Sequence, residues 1–330
     1  MTQGKATDNG AGITLITGAA GFIGSHLTEA LLQSGQRVVG VDNYCDFYDP
    51  AVKQNNLQRA AEYEGFTRVE ADIRDRATIA ETIAAHQPDT IVHLAAMAGV
   101  RPSIEDPSYY TAVNLDGTVN LLDAAVAQNV QRFVFASSSS VYGNNEKVPF
   151  AEVDNVDYPI SPYAATKKAG EVICHTYWHL YRLPMVCLRF FTVFGPRQRP
   201  DLAIAKFLRR VRDDEPIEMF GDGTTSRDYT YIDDIIAGVR AAIAQVTPQT
   251  GYRVYNLGGS EPVALKDMIA TIERVTGKQA RIERKPTQPG DVDRTWADLT
   301  RSRAELGYRP TTSLEAGVQR QWAWMQGESA

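Results

Sequence analysis

Ile13-Thr14-Leu15-Ile16-Thr17-Gly18-Ala19-Ala20-Gly21-Phe22-Ile23-Gly24 is the stretch that decides how the rest of the chain is read. Ile13 to Thr17 is a short run of β-branched and aliphatic residues, the composition of a buried strand. Gly18, Gly21 and Gly24 follow at intervals of three, and Ser25 to Leu32 continues with helical spacing. Strand, glycine turn and helix together aim backbone N–H groups at a helix N-terminus, where a pyrophosphate can sit. The spacing is G-x-x-G-x-x-G rather than G-x-G-x-x-G, and in isolation a purely structural tight turn competes with the binding reading.

The strands downstream repeat one arrangement. Arg37 to Val41 ends at Asp42-Asn43, about 20 residues past the glycines, where a carboxylate can hold both ribose hydroxyls of an adenosine. A negative charge there repels a 2′-phosphate, which favours NAD over NADP. Thr67 to Ala71 ends at Asp72-Ile73. Thr90 to Leu94 ends at Ala95-Ala96, small residues that let a cofactor lie against the backbone. Four strands alternating with helices predict an α/β fold, a doubly wound parallel Rossmann sheet with ligands at the strand C-termini. Residues 1–190 are expected to form this dinucleotide-binding domain, completed by parts of 225–260. Residues 191–330 are expected to form a smaller, mixed α/β substrate domain.

A further strand, Arg132 to Ala136, gives way to Ser137-Ser138-Ser139-Ser140-Val141-Tyr142-Gly143. Pro162 suits a first helical position, and the helix it opens carries Tyr163 and Lys167 at i and i+4, on one face. A phenol ordinarily ionises near pH 10, and a neighbouring cation favours the phenolate, so the pair is a candidate base. Chance spacing on an amphipathic helix is the alternative for so short a motif. Asn114 lies in a long helix predicted from Pro107 to Asn129, where a solvent-facing polar residue is the competing reading. Met185 to Phe190 is another buried strand, leading into a loop that runs from Phe191 to Pro200. Arg199, Arg227 and Arg294 each sit beside a turn, the last after Gln288-Pro289-Gly290-Asp291, and are either phosphate ligands or surface arginines.

Composition narrows the classes. The chain has 330 residues, 43% hydrophobic and 22% charged, with a net charge of −6, so it lacks the basic footprint of a nucleic-acid binder. No stretch approaches a membrane span, and the N-terminus has no signal-peptide core, Met1 to Gly10 reading as a loose tail. Cys45, Cys174 and Cys187 are far apart and read as free thiols of a cytoplasmic protein. His175 and His179 are i, i+4 without the glutamate of a zinc motif, and their aromatic neighbours indicate a packing face, so no metal is expected.

Taken in order, T-G-A-A-G-F-I-G, D-N, D-I, H-L-A-A, S-S-S-V-Y-G, Y-A-A-T-K and R-D-Y-T-Y-I-D-D resemble the extended short-chain dehydrogenase/reductase superfamily, from about Ile13 to Trp324. Within it the chain looks like the nucleotide-sugar epimerases, most of all the UDP-glucuronate 4-epimerases. A-G-V-R at Ala98 to Arg101, S-P-Y-A-A-T-K-K-A and L-R-F-F-T-V-F-G-P-R-Q-R-P-D from Leu188 carry that finer likeness. The resemblance implies Tyr163 as base, Lys167 as its ribose-bound partner and Ser138 as the hydroxyl sharing the sugar 4-OH. It implies Gly18, Gly21, Phe22, Ile23 and Gly24 around the pyrophosphate of NAD, and Asp42-Asn43 on the adenosine ribose. Asp72-Ile73 would lie beside adenine, with Leu94, Ala95, Ala96 and Asn114 also on the cofactor. Arg101, Ser139, Ser140, Thr192, Arg199, Arg227, Arg294 and Asp298 are the remaining candidates for a UDP-sugar substrate. Thr192 stands where UDP-glucose 4-epimerases usually carry asparagine. The matching triplet resembles Thr-Asp-Glu in dehydratases and Thr-Ser-Glu in decarboxylases, whereas Ser138-Ser139-Ser140 has no carboxyl group. A homodimer through the helices near Asn114 and Cys174 is also implied. A 4-epimerase of UDP-glucose or UDP-N-acetylglucosamine, and a catalytically silent NAD-sensing scaffold, stay open as alternatives.

Overall fold

In the computed structural model, residues 12–286 and 292–327 are described; the Met1–Gly10 tail and the Gln288–Asp291 turn lie outside them. β1 (Ile13–Thr17), α1 (Phe22–Gln33), β2 (Arg37–Asp42), α2 (Pro50–Asn56), β3 (Phe66–Glu70), α3 (Arg76–His86) and β4 (Thr90–His93) alternate strictly. Short α4 (Val100–Glu105) and α5 (Pro107–Thr111) come next, then a π-helical turn at Ala112–Asp116 and α6 (Gly117–Ala127). β5 (Arg132–Ser138), α7 (Pro162–Tyr181) and β6 (Met185–Phe190) complete this run. The rest is less regular. It comprises β7 (Thr192–Phe194), α8 (Ala203–Arg212), β8 (Ile217–Phe220), β9 (Ser226–Tyr231), α9 (Ile232–Gln245) and β10 (Tyr252–Leu257), then β11 (Pro262–Ala264), α10 (Leu265–Thr276), β12 (Ile282–Lys285), α11 (Thr300–Leu306) and α12 (Leu314–Met325).

Seven strands form one parallel sheet in the order β10-β6-β5-β4-β1-β2-β3, the doubly wound topology. Its last edge strand, β10, is contributed from well beyond residue 190 and pairs with β6 from Tyr252↔Met185 to Leu257↔Phe190. The strands read as continuous apolar runs because both faces are covered. In β5, Phe133 and Phe135 pack into a core with Leu121 and Leu122 of α6, while Val134 and Ala136 pack into another with Leu27 of α1 and Ile235 of α9. Two small sheets complete the structure: β11-β9-β7, mixed in direction, and the parallel pair β12-β8.

Local chemistry sets the helix starts that matter here. Ser161 Oγ accepts from the Ala164 amide at 3.1 Å, and Pro162 opens α7 without wasting an N–H. The helix predicted to run unbroken from Pro107 to Asn129 is instead α5, the π turn and α6, the extra residue of the π turn falling around Asn114. A separate short helix, α4, already begins at Val100, ahead of the helix predicted from Pro107.

Candidate active site

A cleft of about 430 Å³ opens along the C-terminal edge of the large sheet, bounded by the ends of β1, β2, β4, β5 and β6. At one end is the glycine turn. Gly18 has a positive φ of +69°, and a Cβ there would lie 2.7 Å from the Ala95 amide nitrogen, so only glycine fits. A Cβ on Gly24 would be driven into the Gly18 carbonyl, so α1 can start against the turn only with glycine at this position. No side chain caps the start of α1, and its first amides after Gly21 are open to an anion in the cleft. Gly18, Gly21, Phe22, Ile23 and Gly24 all line it.

Two carboxylates stand at the adjoining strand ends. Asp42 is buried and accepts from the amides of Ala20 (3.0 Å) and Tyr44 (2.9 Å); burial raises its pKa despite them. Asp72 is gripped by Arg74 and accepts from Asn43 Nδ2 at 3.0 Å, and the Arg74 hydrogen bonds lower its pKa to about 2. Ile73, Leu94, Ala95 and Ala96 continue the lining. An uncapped helix start, a dry carboxylate beside it and an apolar slot are the features a dinucleotide requires, so the residues fit NAD.

At the other end, Ser138, Ser139, Ser140, Tyr163, Lys167, Thr192 and Arg199 meet. Ser138 Oγ donates to Ser140 Oγ at 3.2 Å and lies near enough to the Tyr163 hydroxyl to favour its ionisation. Burial raises the phenol above its ordinary value, opposed by the neighbouring Ser138 hydroxyl and by the charge of Arg199. Lys167, also buried, donates to the Ala136 carbonyl at 2.8 Å and lies over the Phe135 ring, and burial lowers its pKa to about 8. The i, i+4 spacing predicts Lys167 as the cation that bears on the phenol. With the ammonium turned onto β5, Arg199 is the cation that shifts it here. Arg199 in turn pairs with Asp201 at 2.6 Å and stacks on Phe47.

Beneath these groups runs a buried polar chain that the sequence did not reveal. Thr118 Oγ1 donates to the Asn114 carbonyl at 2.7 Å, so it accepts from His93 Nε2 at 2.9 Å. His93 Nδ1 then accepts from Thr17 Oγ1 at 2.7 Å, which itself accepts from the Ala95 amide. The ring is thereby held neutral, and burial lowers its pKa to about 3. Asn114 spends its amide inside the protein: Oδ1 accepts from Met97 N, and Nδ2 donates to Met97 O and Thr166 Oγ1. It does not face solvent; it ties the π turn to the cleft wall and to α7.

Four expected substrate residues are absent from the cleft lining. Arg101 lies over the Phe220 ring, and Asp298 Oδ1 accepts from Thr300 N at the start of α11. Arg227 donates to the Ser226 carbonyl, and Arg294 bridges to Ser226, so these two arginines share one edge of the small sheet, apart from Arg199. Conversely, Phe47, Tyr48 and Lys53 line the cleft without any sequence signal that could have found them, since only the path of the chain after β2 brings them there.

Residues 15–321 match the model of the family described as GDP-mannose 4,6 dehydratase. A probable UDP-glucuronate 4-epimerase of Rhizobium meliloti is 41% identical over 326 residues, 94% of this chain and 96% of that protein. The chain belongs to the extended short-chain dehydrogenase/reductase family of nucleotide-sugar epimerases. The crystal structure of UDP-glucuronic acid 4-epimerase from Bacillus cereus, in complex with UDP-glucuronic acid and NAD, matches with a TM-score of 0.90 at 38% identity, covering 96% of this chain and 99% of that one. UDP-glucose 4-epimerase from Thermotoga maritima, with UDP-glucose, matches with a TM-score of 0.88 at 31% identity, again over 96% and 99%. As a family enzyme this protein is an NAD-dependent nucleotide-sugar 4-epimerase. Among its described residues no helix is long and apolar enough to cross a membrane.

Proposed function

We propose that this epimerase acts on UDP-glucuronate and UDP-galacturonate, interconverting them through a 4-keto sugar. The observation that carries the reading is the chemistry beside Tyr163. Ser138, Ser139, Ser140, Thr192 and Arg199 line the cleft there, whereas its carboxylates, Asp42 and Asp72, stand at the far end. A uronic acid would meet hydroxyls and one cation, Arg199, whose present partner Asp201 it would have to compete with.

In this reading Tyr163 takes the proton of the sugar 4-OH, and Ser138 shares that hydrogen bond. NAD, when bound, supplies the acceptor and donor of the C4 hydride. Its pyrophosphate would rest on the start of α1 beside Gly18, Gly21 and Gly24, its adenosine ribose on Asp42, and its other ribose near Lys167. Because burial resists ionisation of Tyr163, nearby positive charge is what would make a phenolate accessible. Arg199 supplies it in this structure, and Lys167 would add to it only once its ammonium turns from the Ala136 carbonyl towards the ribose and the phenol. The 4-keto sugar of a uronic acid is a β-keto acid and loses CO₂ when its carboxylate bond aligns with the carbonyl π-system. Ser139, Ser140, Thr192 and Arg199 would hold the carboxylate out of that alignment, and no carboxylic acid stands by to protonate an enolate. Arg227 and Arg294 would serve the diphosphate, and Arg101 and Asp298 the outer part of the nucleotide.

Purified protein given UDP-glucuronate and no added NAD should form UDP-galacturonate, followed by NMR. UDP-xylose or a 4-keto-6-deoxy sugar as the product would overturn the reading. Faster turnover of UDP-glucose or UDP-N-acetylglucosamine in parallel tubes would replace it with the neutral-sugar alternative. The enzyme would work as a cytoplasmic homodimer packed through α6 and α7. Asn114 and Cys174 are themselves buried within the protomer, so the contact would use the outward face of α7.

A further inference from the structure

Four consecutive residues of β5 are each engaged by one face of α7. Phe135 fills the space where a Cβ on Gly170 would stand, the Ala136 carbonyl accepts from Lys167, and the Ser138 hydroxyl meets Tyr163. Between them, Ser137 Oγ donates to Glu171 Oε1 at 2.6 Å. Tyr163, Lys167 and Glu171 are i, i+4 and i+8, so one stripe of the helix carries all three. Glu171 is 3% exposed, and so is Arg189, the neighbour of Ser137 across the β5–β6 ladder. Arg189 Nε donates to Glu171 Oε1 and Nη2 to Oε2, both at 2.8 Å. The guanidinium also lies over Tyr142, whose hydroxyl donates to Asn256 of β10 at 2.7 Å. A two-pronged pair in a dry site has little freedom to slide, so it fixes α7 both along and around its axis.

We propose that Glu171, held by Arg189 and Ser137, is a positioning residue for the proton transfer. It sets α7 against β5 so that the Tyr163 hydroxyl is held beside the Ser138 hydroxyl at the strand end. Neither Glu171 nor Arg189 lines the cleft. Their effect on the reaction therefore passes through the helix. The inference rests on Tyr163 being the base, and Tyr163→Phe in the otherwise unchanged enzyme provides that control.

Glu171→Ala strands a buried cation and risks the fold, whereas Glu171→Gln keeps a hydrogen-bonding side chain facing it. Ser137 itself lines the cleft, so Glu171→Gln is the variant that isolates the helix and Ser137→Ala the milder companion. For each, kcat, KM for UDP-glucuronate, bound NAD per protomer, the thermal midpoint and the solvent deuterium isotope effect on kcat are measured. Misplacing a proton-transfer group lowers kcat without touching substrate binding, so Ser137→Ala should lose about tenfold in kcat while KM moves by less than about twofold. Bound NAD should stay stoichiometric, and the solvent isotope effect should rise as proton transfer becomes slower. Glu171→Gln should lose more than Ser137→Ala in the same pattern. Wild-type kcat and isotope effect in both variants would overturn the proposal. A loss of kcat matched by a loss of bound NAD would reduce the pair to a structural tie and overturn it equally. A wild-type enzyme whose rate survives Tyr163→Phe would instead sink the assignment of the base and leave the helix setting without this consequence.

Discussion

Tyr163 shows how far one residue's chemistry depends on what surrounds it. Its phenol is buried and resists ionisation, so its use as a base depends on Ser138 and on nearby positive charge. Tyr163→Phe removes the proposed proton acceptor and leaves the rest of the cleft wall in place. We expect kcat to fall by about 10²–10⁴-fold with NAD still bound, checked by turnover and by the nucleotide content of the denatured protein. An unchanged rate would return the silent-scaffold alternative. His26 offers a test on the stability side. Its Nε2 meets the Pro196 carbonyl at 3.0 Å, and burial lowers its pKa from 6.5 to about 4. The folded state keeps this ring neutral while the unfolded chain takes up a proton below about pH 6.5. The unfolded state thus binds more protons between about pH 4 and 6.5, and His26 makes stability rise with pH across that window, by up to about 1.4 kcal/mol per unit. His26→Gln should flatten the slope of urea-unfolding free energy against pH there. An identical slope in the variant would show that the proton uptake lies elsewhere.

At the scale of elements, α7 and β5 carry the proposed base and its neighbouring hydroxyl, and the closeness of their packing is testable without touching either group. A Cβ on Gly170 would enter the ring of Phe135, which is fully buried and lies under the Lys167 ammonium. Gly170→Ala should therefore cost about 1–3 kcal/mol by overpacking, read from denaturant unfolding, and should lower kcat as the helix is pushed off the strand. Unaltered stability would mean the helix can yield there at no cost. The π turn at Ala112–Asp116 belongs to this scale too. Helical spacing alone cannot disclose it, because a single wider turn leaves the apolar periodicity nearly intact. Asn114 was therefore visible as a polar residue in a helix, but its bonds to Met97 and Thr166 were not.

For the whole molecule, the loop after β6 is one of the places where the later part of the chain meets the large sheet, beside β10 and α9. Arg197 pairs with Glu29 of α1 at 2.8 Å, and the His26–Pro196 contact lies beside it, so the helix facing the cofactor carries the loop that presents Arg199. The outward face of α7 is the other global feature. Val172, Leu180 and Tyr181 are 51%, 62% and 54% exposed, an apolar set on one long helix. If the homodimer forms there, Leu180→Glu should shift the mass measured by light scattering from about twice the chain's 36.4 kDa towards one copy. A wild-type protein already of single-chain mass would remove the dimer from the account.

Much of the architecture could be read from the chain alone. β1, the glycine turn and α1 are coded by neighbours within a few residues, through β-branching, glycine at a positive φ and helical spacing. So are the acid ending β2 and the Tyr163–Lys167 face of α7, and the strand-end rule places all of them on one edge of the sheet. Tertiary structure decided which of those groups interact. His93 became a neutral link through Thr17 and Thr118, 76 and 25 residues away, and Glu171 became the partner of Ser137, 34 residues away. Arg199 entered the cleft while Arg227 and Arg294 lined up along the small sheet. Local propensity acts over a turn or two of chain, whereas a buried polar group takes its partner from whatever packing brings within hydrogen-bond reach, and no spacing in the sequence records that distance.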